Sequence, residues 1–324
     1  MSGYPASSRY QSTLDVSAGP LGSLHPPAAV RHNGTARPTV VDFCALPLTV
    51  GLTVDDAVEL AFSARANDLP LLTTFINPHS FHIVKHHTNY AANLAEFAFI
   101  FPDGIGIVWG LRHLTGINAE RISFDTTSLA LPVLKRASRE SRSVMLIGGR
   151  PGLAAQAAGR LAEAVEGLRI AGAMDGFCNY TEYEGAVRAA KPDIIICGMG
   201  APRQEELLVR LRRGGAWKGL GYTCGGYFDQ LQKGLNYYPL LINKLNLRWL
   251  YRMIKEPRRL CRRYVVEYQQ YAVTLASHSL KKQRGSPGAV AARPTSDSST
   301  RVARAPGFRG VAGRKPSGSI LRGL

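Results

Sequence analysis

This 324-residue sequence predicts an α/β fold with a mainly parallel sheet. Short apolar runs that suit buried strands alternate with amphipathic stretches of about 10–15 residues that suit helices, which is the order of repeated βαβ units. Gly-rich or polar turns follow most of the strand-like runs, where such sheets connect a strand to its helix. We therefore expect a Rossmann-like, mainly parallel sheet with helices on both faces, followed by a basic helical C-terminal appendage.

Short apolar runs predict the individual strands, and apolar residues spaced about three to four positions apart predict the helices. The predicted strands are residues 70–76, 97–101 and 143–148. Three more strands, each given together with the turn that follows it, are residues 168–176, 193–200 and 217–226. The helices are residues 55–68, 79–96, 105–114, 126–140, 153–166, 182–190 and 203–213. Asp125 or Thr126 is a suitable N-cap for the helix that begins near residue 126.

The turns after the strands have the composition of ligand-binding loops. They are PDGIG (102–106), IGGRPG (147–152), DGF (175–177), GMGAPRQEE (198–206) and TCGGYFD (223–229). Because ligands of such sheets bind where strands end, we expect these turns to form one binding face. Asp103, directly after a strand and beside Gly104, can project into that face as a base that takes a proton from a hydroxyl group. A turn or helix N-cap is the alternative interpretation of Asp103.

Two further turns have a functional and a structural interpretation. Gly148–Gly152 can place backbone amides around a diphosphate at a helix N-terminus, or it is a plain strand–helix turn. Arg203 and Gln204 can contact a phosphate or a base at the mouth of the cleft, or they only begin a helix. Neither GxGxxG nor GxxxxGK[ST] is present, which disfavours a dinucleotide-dependent oxidoreductase and a P-loop enzyme.

The net charge of +17 predicts an anionic partner, and the positive charge is concentrated at the C-terminal end. Residues 233–271 contain nine Lys or Arg against two Glu, and residues 278–324 contain ten against one Asp. A nucleic-acid-binding protein is disfavoured because this charge lies outside the alternating core and no nucleic-acid-binding motif is present. The histidines and cysteines show no metal-binding spacing, so we expect no metal site and no cofactor.

Composition divides the chain into four predicted regions. Residues 1–38 form a disordered N-terminal extension, residues 39–230 the α/β core, residues 231–277 a basic amphipathic appendage, and residues 278–324 a disordered basic tail. The odd number of cysteines without CxxC predicts reduced thiols in the cytoplasm. No secretory signal and no spanning helix of about 20 apolar residues is recognisable, so a peripheral position at the membrane is expected.

Seven fragments, in order between residues 54 and 271, resemble the WecG/TagA/CpsF family of glycosyltransferases. They are FINPH (75–79), FPDGIGIVWG (101–110), RISFD (121–125), LIGGRPG (146–152), PDIIICGMGAPRQEE (192–206), GGYFD (225–229) and LRWLYRMIKEPRRLCRRY (247–264). Each fragment alone is weakly specific, whereas seven in the same order are specific.

The resemblance implies an inverting, metal-independent enzyme that moves a hexose or N-acetylhexosamine-type sugar from a UDP-sugar to a polyprenyl-diphosphate-linked saccharide. Such enzymes contribute to bacterial surface polysaccharides, including wall teichoic acid, enterobacterial common antigen and exopolysaccharides. The expected partners are the donor, the lipid-linked acceptor and an anionic membrane surface at the inner face of the cytoplasmic membrane. A homo-oligomer is left open.

The resemblance also implies roles for individual residues. Asp103 is the expected general base. The expected substrate-binding residues are Asn77, Arg121 and Gln204 from the family motifs, extended to Thr74, Asp125, Glu205 and Asp229. The residues expected to contact diphosphate and lipid headgroups are Arg248, Arg252, Arg259 and Arg263.

This sequence departs from the family pattern at several positions. The family usually has Thr where Phe75 stands, with Thr74 one residue away, and often has Gly where Phe124 stands. Arg203 replaces the usual Lys, and residues 237–239 replace an Arg-Ala-Pro segment. These departures indicate a different substrate from the best-known members. They also keep open an alternative function, a catalytically inactive scaffold at the membrane surface.

Overall fold

The computed structural model describes residues 38–64, 70–235, 237–239, 242, 247–255, 257 and 267–283. Within these residues the strands are β1 Thr39–Phe43, β2 Leu46–Val50, β3 Leu71–Ile76, β4 Phe99–Pro102, β5 Ser143–Gly148, β6 Arg169–Met174, β7 Ile194–Gly198 and β8 Leu220–Thr223. The helices are α1 Val54–Phe62, α2 Pro78–His86, α3 Thr88–Leu94, α4 Ile105–Thr115, α5 Ala130–Arg139, α6 Leu153–Ala164, α7 Tyr180–Ala190, α8 Arg203–Arg213, α9 Tyr227–Lys233, α10 Arg248–Lys255 and α11 Tyr268–Gln283.

The main sheet has the strand order β4-β3-β8-β7-β5-β6, and every neighbouring pair is parallel. β8, the last strand among the described residues, lies at the centre between β3 and β7. The carboxyl ends of all six strands therefore lie at the same edge. The predicted α/β fold with a parallel sheet flanked by helices is confirmed.

Two apolar cores cover the two faces of the sheet, because side chains along each strand alternate between faces. On β7, Ile194 and Ile196 belong to the core that includes helices α1, α5, α6 and α9. Ile195 and Cys197 belong to the opposite core, with α2, α3, α4, α7, α8 and the β1–β2 hairpin. Strands that are buried on both faces are continuous apolar runs in the sequence, and for this reason they could be predicted.

Helix starts depend on local capping. Thr53 caps α1 in a capping box with Asp56, and Asn179 caps α7 with Glu182. The N-cap predicted at Asp125 or Thr126 is wrong: α5 begins at Ala130, after Leu129. The Asp125 carboxylate instead accepts a hydrogen bond from the Thr127 amide at 2.9 Å, and this turn delays the helix.

The β1–β2 hairpin is an element that the sequence reading did not assign. Its turn residues, Cys44 and Ala45, have φ values of 56° and 67°, and the Ala45 amide donates to Asp42 Oδ1 at 2.8 Å. Two-residue turns with positive φ usually contain Asn or Gly, so this turn had no typical sequence signal. The hairpin lies beside β4, and the Ile100 amide donates to Thr49 Oγ1 at 3.1 Å.

The C-terminal helix α11 returns to the core and packs against α2 and α4. Tyr271 is its buried anchor: the hydroxyl group donates to the Gly106 carbonyl at 2.6 Å, and the ring packs against Phe43 and Phe81. The helix continues to Gln283, past residue 278 where the predicted tail begins. Among the described residues, no helix combines the length and apolar character needed to span a membrane.

Candidate functional site

A cavity of about 720 Å³ lies at the carboxyl edge of the sheet. The glycine-rich turns after β5, β6, β7 and β8 form one part of its wall. The end of β4, residues 121–125 and the start of α10 form another. The expectation that the turns form one binding face therefore agrees with the position of this cavity.

The glycines of these turns permit close contact between backbones. A Cβ atom on Gly148, whose φ is 141°, would lie 2.4 Å from the carbonyl carbon of Gly198. The Gly149 amide donates to the Gly198 carbonyl at 3.1 Å, and the Gly176 amide donates to the Gly149 carbonyl at 2.8 Å. The two amide groups are thus used within the protein. At these positions the glycines allow the turns to pack closely against each other. Contacts with a ligand must therefore come from neighbouring groups.

Asp103 lies at the first position after β4, and its backbone amide donates to the Ile76 carbonyl at 2.8 Å. Gly104, with φ of 90°, is the N-cap of α4 and provides no side chain for capping. Asp103 is therefore not the N-cap of α4, so the alternative interpretation as a helix N-cap does not apply. The carboxylate lines the cavity and is 31% exposed, within reach of a ligand.

Arg121 connects Asp103 to a second carboxylate. Its Nη1 atom lies 3.4 Å from Asp103 Oδ1 and 3.5 Å from Asp125 Oδ2, and donates to Ser123 Oγ at 2.6 Å. Arg248, at the start of α10, donates from Nη1 to Asp125 Oδ2 at 3.1 Å. Two arginines and two aspartates therefore alternate along this side of the cavity.

The Asp125 carboxylate is largely buried, with 14% of its side chain exposed. Burial acts to raise its pKa, but the charges of Arg121 and Arg248 and its hydrogen bonds outweigh burial, so the pKa lies below its usual value. Asp125 is thus an ionised anchor for both arginines. This contact also joins the C-terminal part of the chain to the cavity.

The other polar residues predicted to bind substrate include a helix cap, Asn77, and a hydrogen-bonded group formed by Thr74, Gln204 and Glu205. Asn77 lines the cavity, but its Oδ1 atom accepts from the His79 amide at 3.0 Å and caps α2. Thr74 and Glu205 are completely buried, and the Thr74 hydroxyl donates to Glu205 Oε1 at 2.9 Å. Gln204 lines the cavity and also bonds to Glu205, at 2.9 Å. Contact of these residues with a substrate stays a prediction.

Cationic side chains lie beside the glycine-rich turns. Arg150, which follows β5, has Nη1 3.6 Å from Asp229 Oδ1 at the start of α9, and both side chains are about half exposed. Arg203, at the start of α8, donates to the Gly176 carbonyl at 2.7 Å. Together with the N-terminus of α8, these arginines make this wall suitable for an anionic group.

Aromatic residues line the cavity in two settings. Phe75 and Phe124 are buried, and Phe124 packs against the ring of Tyr222. Trp109 on α4 and Phe177 after β6 line the cavity yet are 64% and 70% exposed. Sequence reasoning did not select these two or Arg150. The available signal for Trp109 was its place in the helix that directly follows the Asp103 turn.

Some predicted positions cannot be placed. Arg259 and Arg263 lie outside the described residues, as does the side chain of Arg252 in α10. Within the part of the chain that the structure describes, no cluster of three or more His, Cys, Asp or Glu residues is arranged to hold a metal ion.

Comparisons with known proteins agree with the resemblance in the sequence. A galactosyltransferase of Shigella boydii, described as UDP-Gal:alpha-D-GlcNAc-diphosphoundecaprenol beta-1,4-galactosyltransferase, is 28% identical over 214 residues, which cover 65% of this chain and 88% of that protein. The N-acetylglucosaminyldiphosphoundecaprenol N-acetyl-beta-D-mannosaminyltransferase of Bacillus subtilis is 26% identical over 210 residues, covering 64% and 80%. The pattern of the glycosyl transferase WecG/TagA/CpsF family matches residues 41–285. Because this match spans well over half of the chain, the protein belongs to that family and is a glycosyltransferase.

Proposed function

We propose that this enzyme transfers a hexose or N-acetylhexosamine-type sugar from a UDP-sugar to a polyprenyl-diphosphate-linked saccharide, with inversion at the anomeric carbon. The observation that carries the proposal is the position of Asp103, a carboxylate at a strand end that opens into the cavity beside Arg121. The two relatives named above act on undecaprenol-diphosphate-linked N-acetylglucosamine, and the Shigella enzyme uses UDP-galactose. These activities support the same chemistry here.

The proposed reaction is a single displacement. The acceptor hydroxyl oxygen forms a bond to the anomeric carbon while Asp103 takes the hydroxyl proton. The bond between the anomeric carbon and the phosphate oxygen breaks, and UDP leaves with the electron pair. Attack from the side opposite to UDP inverts the anomeric configuration. Arg121, 3.4 Å from Asp103, holds the carboxylate in position for proton transfer.

The departing diphosphate needs positive charge or hydrogen-bond donors, because negative charge develops on it in the transition state. Arg150 and Arg203 line the wall formed by the glycine-rich turns. Arg248 lines the opposite part of the cavity, where it is paired with Asp125. We assign the first wall to the donor diphosphate and the Arg248 side to the diphosphate of the lipid-linked acceptor.

The lipid part of the acceptor implies a position at the inner face of the cytoplasmic membrane. Large apolar side chains near the cavity support this position: Trp109, Phe177 and Trp249 line the cavity and are at least 43% exposed. Indole rings favour the boundary between water and lipid. An anionic membrane surface would also attract the basic C-terminal residues.

The test of the reaction is release of UDP by the purified full-length chain. A panel of UDP-sugars is offered with a membrane extract that contains polyprenyl-diphosphate sugars, in the presence of EDTA. Release from one donor that requires the lipid extract is the expected result, and proton NMR of the product gives the anomeric configuration. Binding of UDP without release from any donor would refute the transfer and favour the inactive scaffold.

The test of the base is Asp103→Asn. This change keeps the shape of the side chain but removes the proton acceptor, so transfer falls by about 100-fold or more, the usual range for loss of general base catalysis. UDP binding is retained. The matched control is Asp55→Asn, an exposed acid in the first turn of α1. Full activity of the Asp103 variant would refute the assignment.

A further inference from the structure

Glu205 is an acid in an unusual place. It lies in the first turn of α8, where acids usually face solvent and interact with the helix dipole. Glu206, the next residue, follows that pattern and is exposed, whereas Glu205 is 0% exposed. Glu205 does not line the cavity. Burial of a carboxyl group is unfavourable unless hydrogen bonds compensate for the lost solvation.

Hydrogen bonds connect Glu205 to two strands of the sheet. Its Oε1 atom accepts from the Thr74 hydroxyl on β3 at 2.9 Å. The Thr74 and Thr223 hydroxyl oxygens lie 2.8 Å apart, which extends the network to β8. Glu205 therefore links the central part of the sheet to the start of α8, directly behind the cavity wall.

The same oxygen determines how the Gln204 amide is oriented. Gln204 Nε2 donates to Glu205 Oε1 at 2.9 Å, so Gln204 Oε1 faces the opposite way. There it accepts from the Gly225 backbone amide at 3.0 Å. Gly225 has φ of 53° and belongs to the turn between β8 and α9 that lines the cavity. If the Gln204 amide turned over, its NH₂ group would face the Gly225 N–H, donor against donor.

The second carboxyl oxygen of Glu205 takes no part in this network. Oε2 is buried and has no hydrogen-bond partner among the described residues. Burial raises the pKa of Glu205, more strongly than its hydrogen bonds to Gln204 and Thr74 lower it. The neutral acid needs less solvation than a carboxylate, and its Oε1 atom still accepts both hydrogen bonds.

We propose that Glu205 is a positioning residue for the donor site, because it fixes the Gln204 amide that holds the Gly225 turn in its cavity-lining conformation. In this proposal Glu205 acts through Gln204, in place of the direct substrate contact expected from the sequence, because its side chain is buried and does not line the cavity. Its effect on nucleotide binding rests on the UDP-sugar donor of the proposed function. Its effect on the Gly225 amide is independent of the ligand.

The main variants are Glu205→Met, which keeps the length but accepts no comparable hydrogen bond, and Glu205→Gln, whose carbonyl oxygen can replace Oε1. The matched control is Glu206→Gln on the same turn. Two quantities are measured on the full-length chain: the exchange rate of the Gly225 amide hydrogen without ligand, and the dissociation constant of UDP by calorimetry. Thermal unfolding of each variant is recorded alongside.

The Met variant is expected to accelerate Gly225 exchange and weaken UDP binding, each by about tenfold, the effect of one lost hydrogen bond. The Gln variant is expected to recover most of both losses, and the Glu206 control to match the original chain. The proposal is overturned if the Met variant changes neither quantity, if Gln fails to recover them, or if exchange accelerates throughout the chain.

A second variant covers the case in which Glu205→Met does not fold. Gln204→Met breaks the same connection from the other side and is expected to accelerate Gly225 exchange in the same way; an unchanged rate overturns the proposal. If the original chain does not bind UDP, the proposed donor is refuted, and Gly225 exchange alone decides the role of Glu205.

Discussion

Replacement of Gly110 with alanine tests how α11 is held against the core. Gly110 is a buried residue of α4, and an added Cβ atom would lie 2.1 Å from the Tyr271 hydroxyl and 3.1 Å from the Phe43 ring. Tyr271 is enclosed by aromatic rings, so it cannot move aside freely. Its displacement would break the 2.6 Å hydrogen bond to the Gly106 carbonyl.

The expected loss of stability is the sum of three contributions. Overpacking of a core position costs about 1–3 kcal/mol. The lost hydrogen bond costs about 1 kcal/mol. Alanine gains about 1 kcal/mol over glycine inside a helix. The net result is a loss of about 1–3 kcal/mol, concentrated on the docking of α11.

The control for this experiment is Gly159→Ala. Gly159 also lies within a helix, α6, but an added Cβ atom meets nothing within 4 Å. Urea unfolding should show a gain of up to about 1 kcal/mol for this variant and a loss for Gly110→Ala. Hydrogen exchange of the α11 amides should accelerate only in the Gly110 variant. Equal stabilisation of both variants, with unchanged α11 exchange, would refute this account of the packing.

Two further predictions concern charge and the membrane. Asp125→Asn should lower stability at pH 7 by about 3 kcal/mol, because it leaves arginines without their buried partner. The folded pKa of Asp125 is lowered, so its stabilisation is present above the unfolded value of about 3.9 and is lost as the pH falls through the folded pKa. Urea unfolding should therefore show the two chains converging in acid; a constant difference would contradict the ionised anchor. Trp109→Ala combined with Trp249→Ala should reduce sedimentation with anionic lipid vesicles, whereas Trp217→Ala, a buried site, should reduce stability instead. Unchanged sedimentation of the double variant would contradict a membrane role for these rings.

Much of the sheet was predictable because its strands are apolar on both faces. The strand predicted at residues 143–148 is β5, and the helix predicted at residues 203–213 is α8. The stretch at residues 79–96 was less predictable. It is divided into α2 and α3 at His87, whose backbone is extended, and no Gly or Pro signals that break.

The candidate site was predictable where chemistry follows strand order. The position of Asp103 in the cavity was predictable because Asp103 directly follows a strand, and parallel strand ends meet at one edge. The role of Glu205 was not accessible in this way. Its hydrogen bond to Thr74 joins residues 131 positions apart, and the sequence does not distinguish a buried acid from an exposed one in the same helical turn. For Asp125, the sequence likewise showed no sign of its contacts with arginines and hydroxyl groups of the protein. Asp125 lines the cavity, and its contact with a substrate stays a prediction.

The β1–β2 hairpin has a consequence for the behaviour of the protein in a crowded cell. β4 is the outermost strand of the sheet on its side, and an uncovered outer strand can pair with another chain. Thr49 occupies the Ile100 amide, so the hairpin covers that strand where it would otherwise offer a free donor. The strand that leads to Asp103 is thereby protected against intermolecular strand pairing, so the hairpin shields the edge of the sheet that ends at the candidate site.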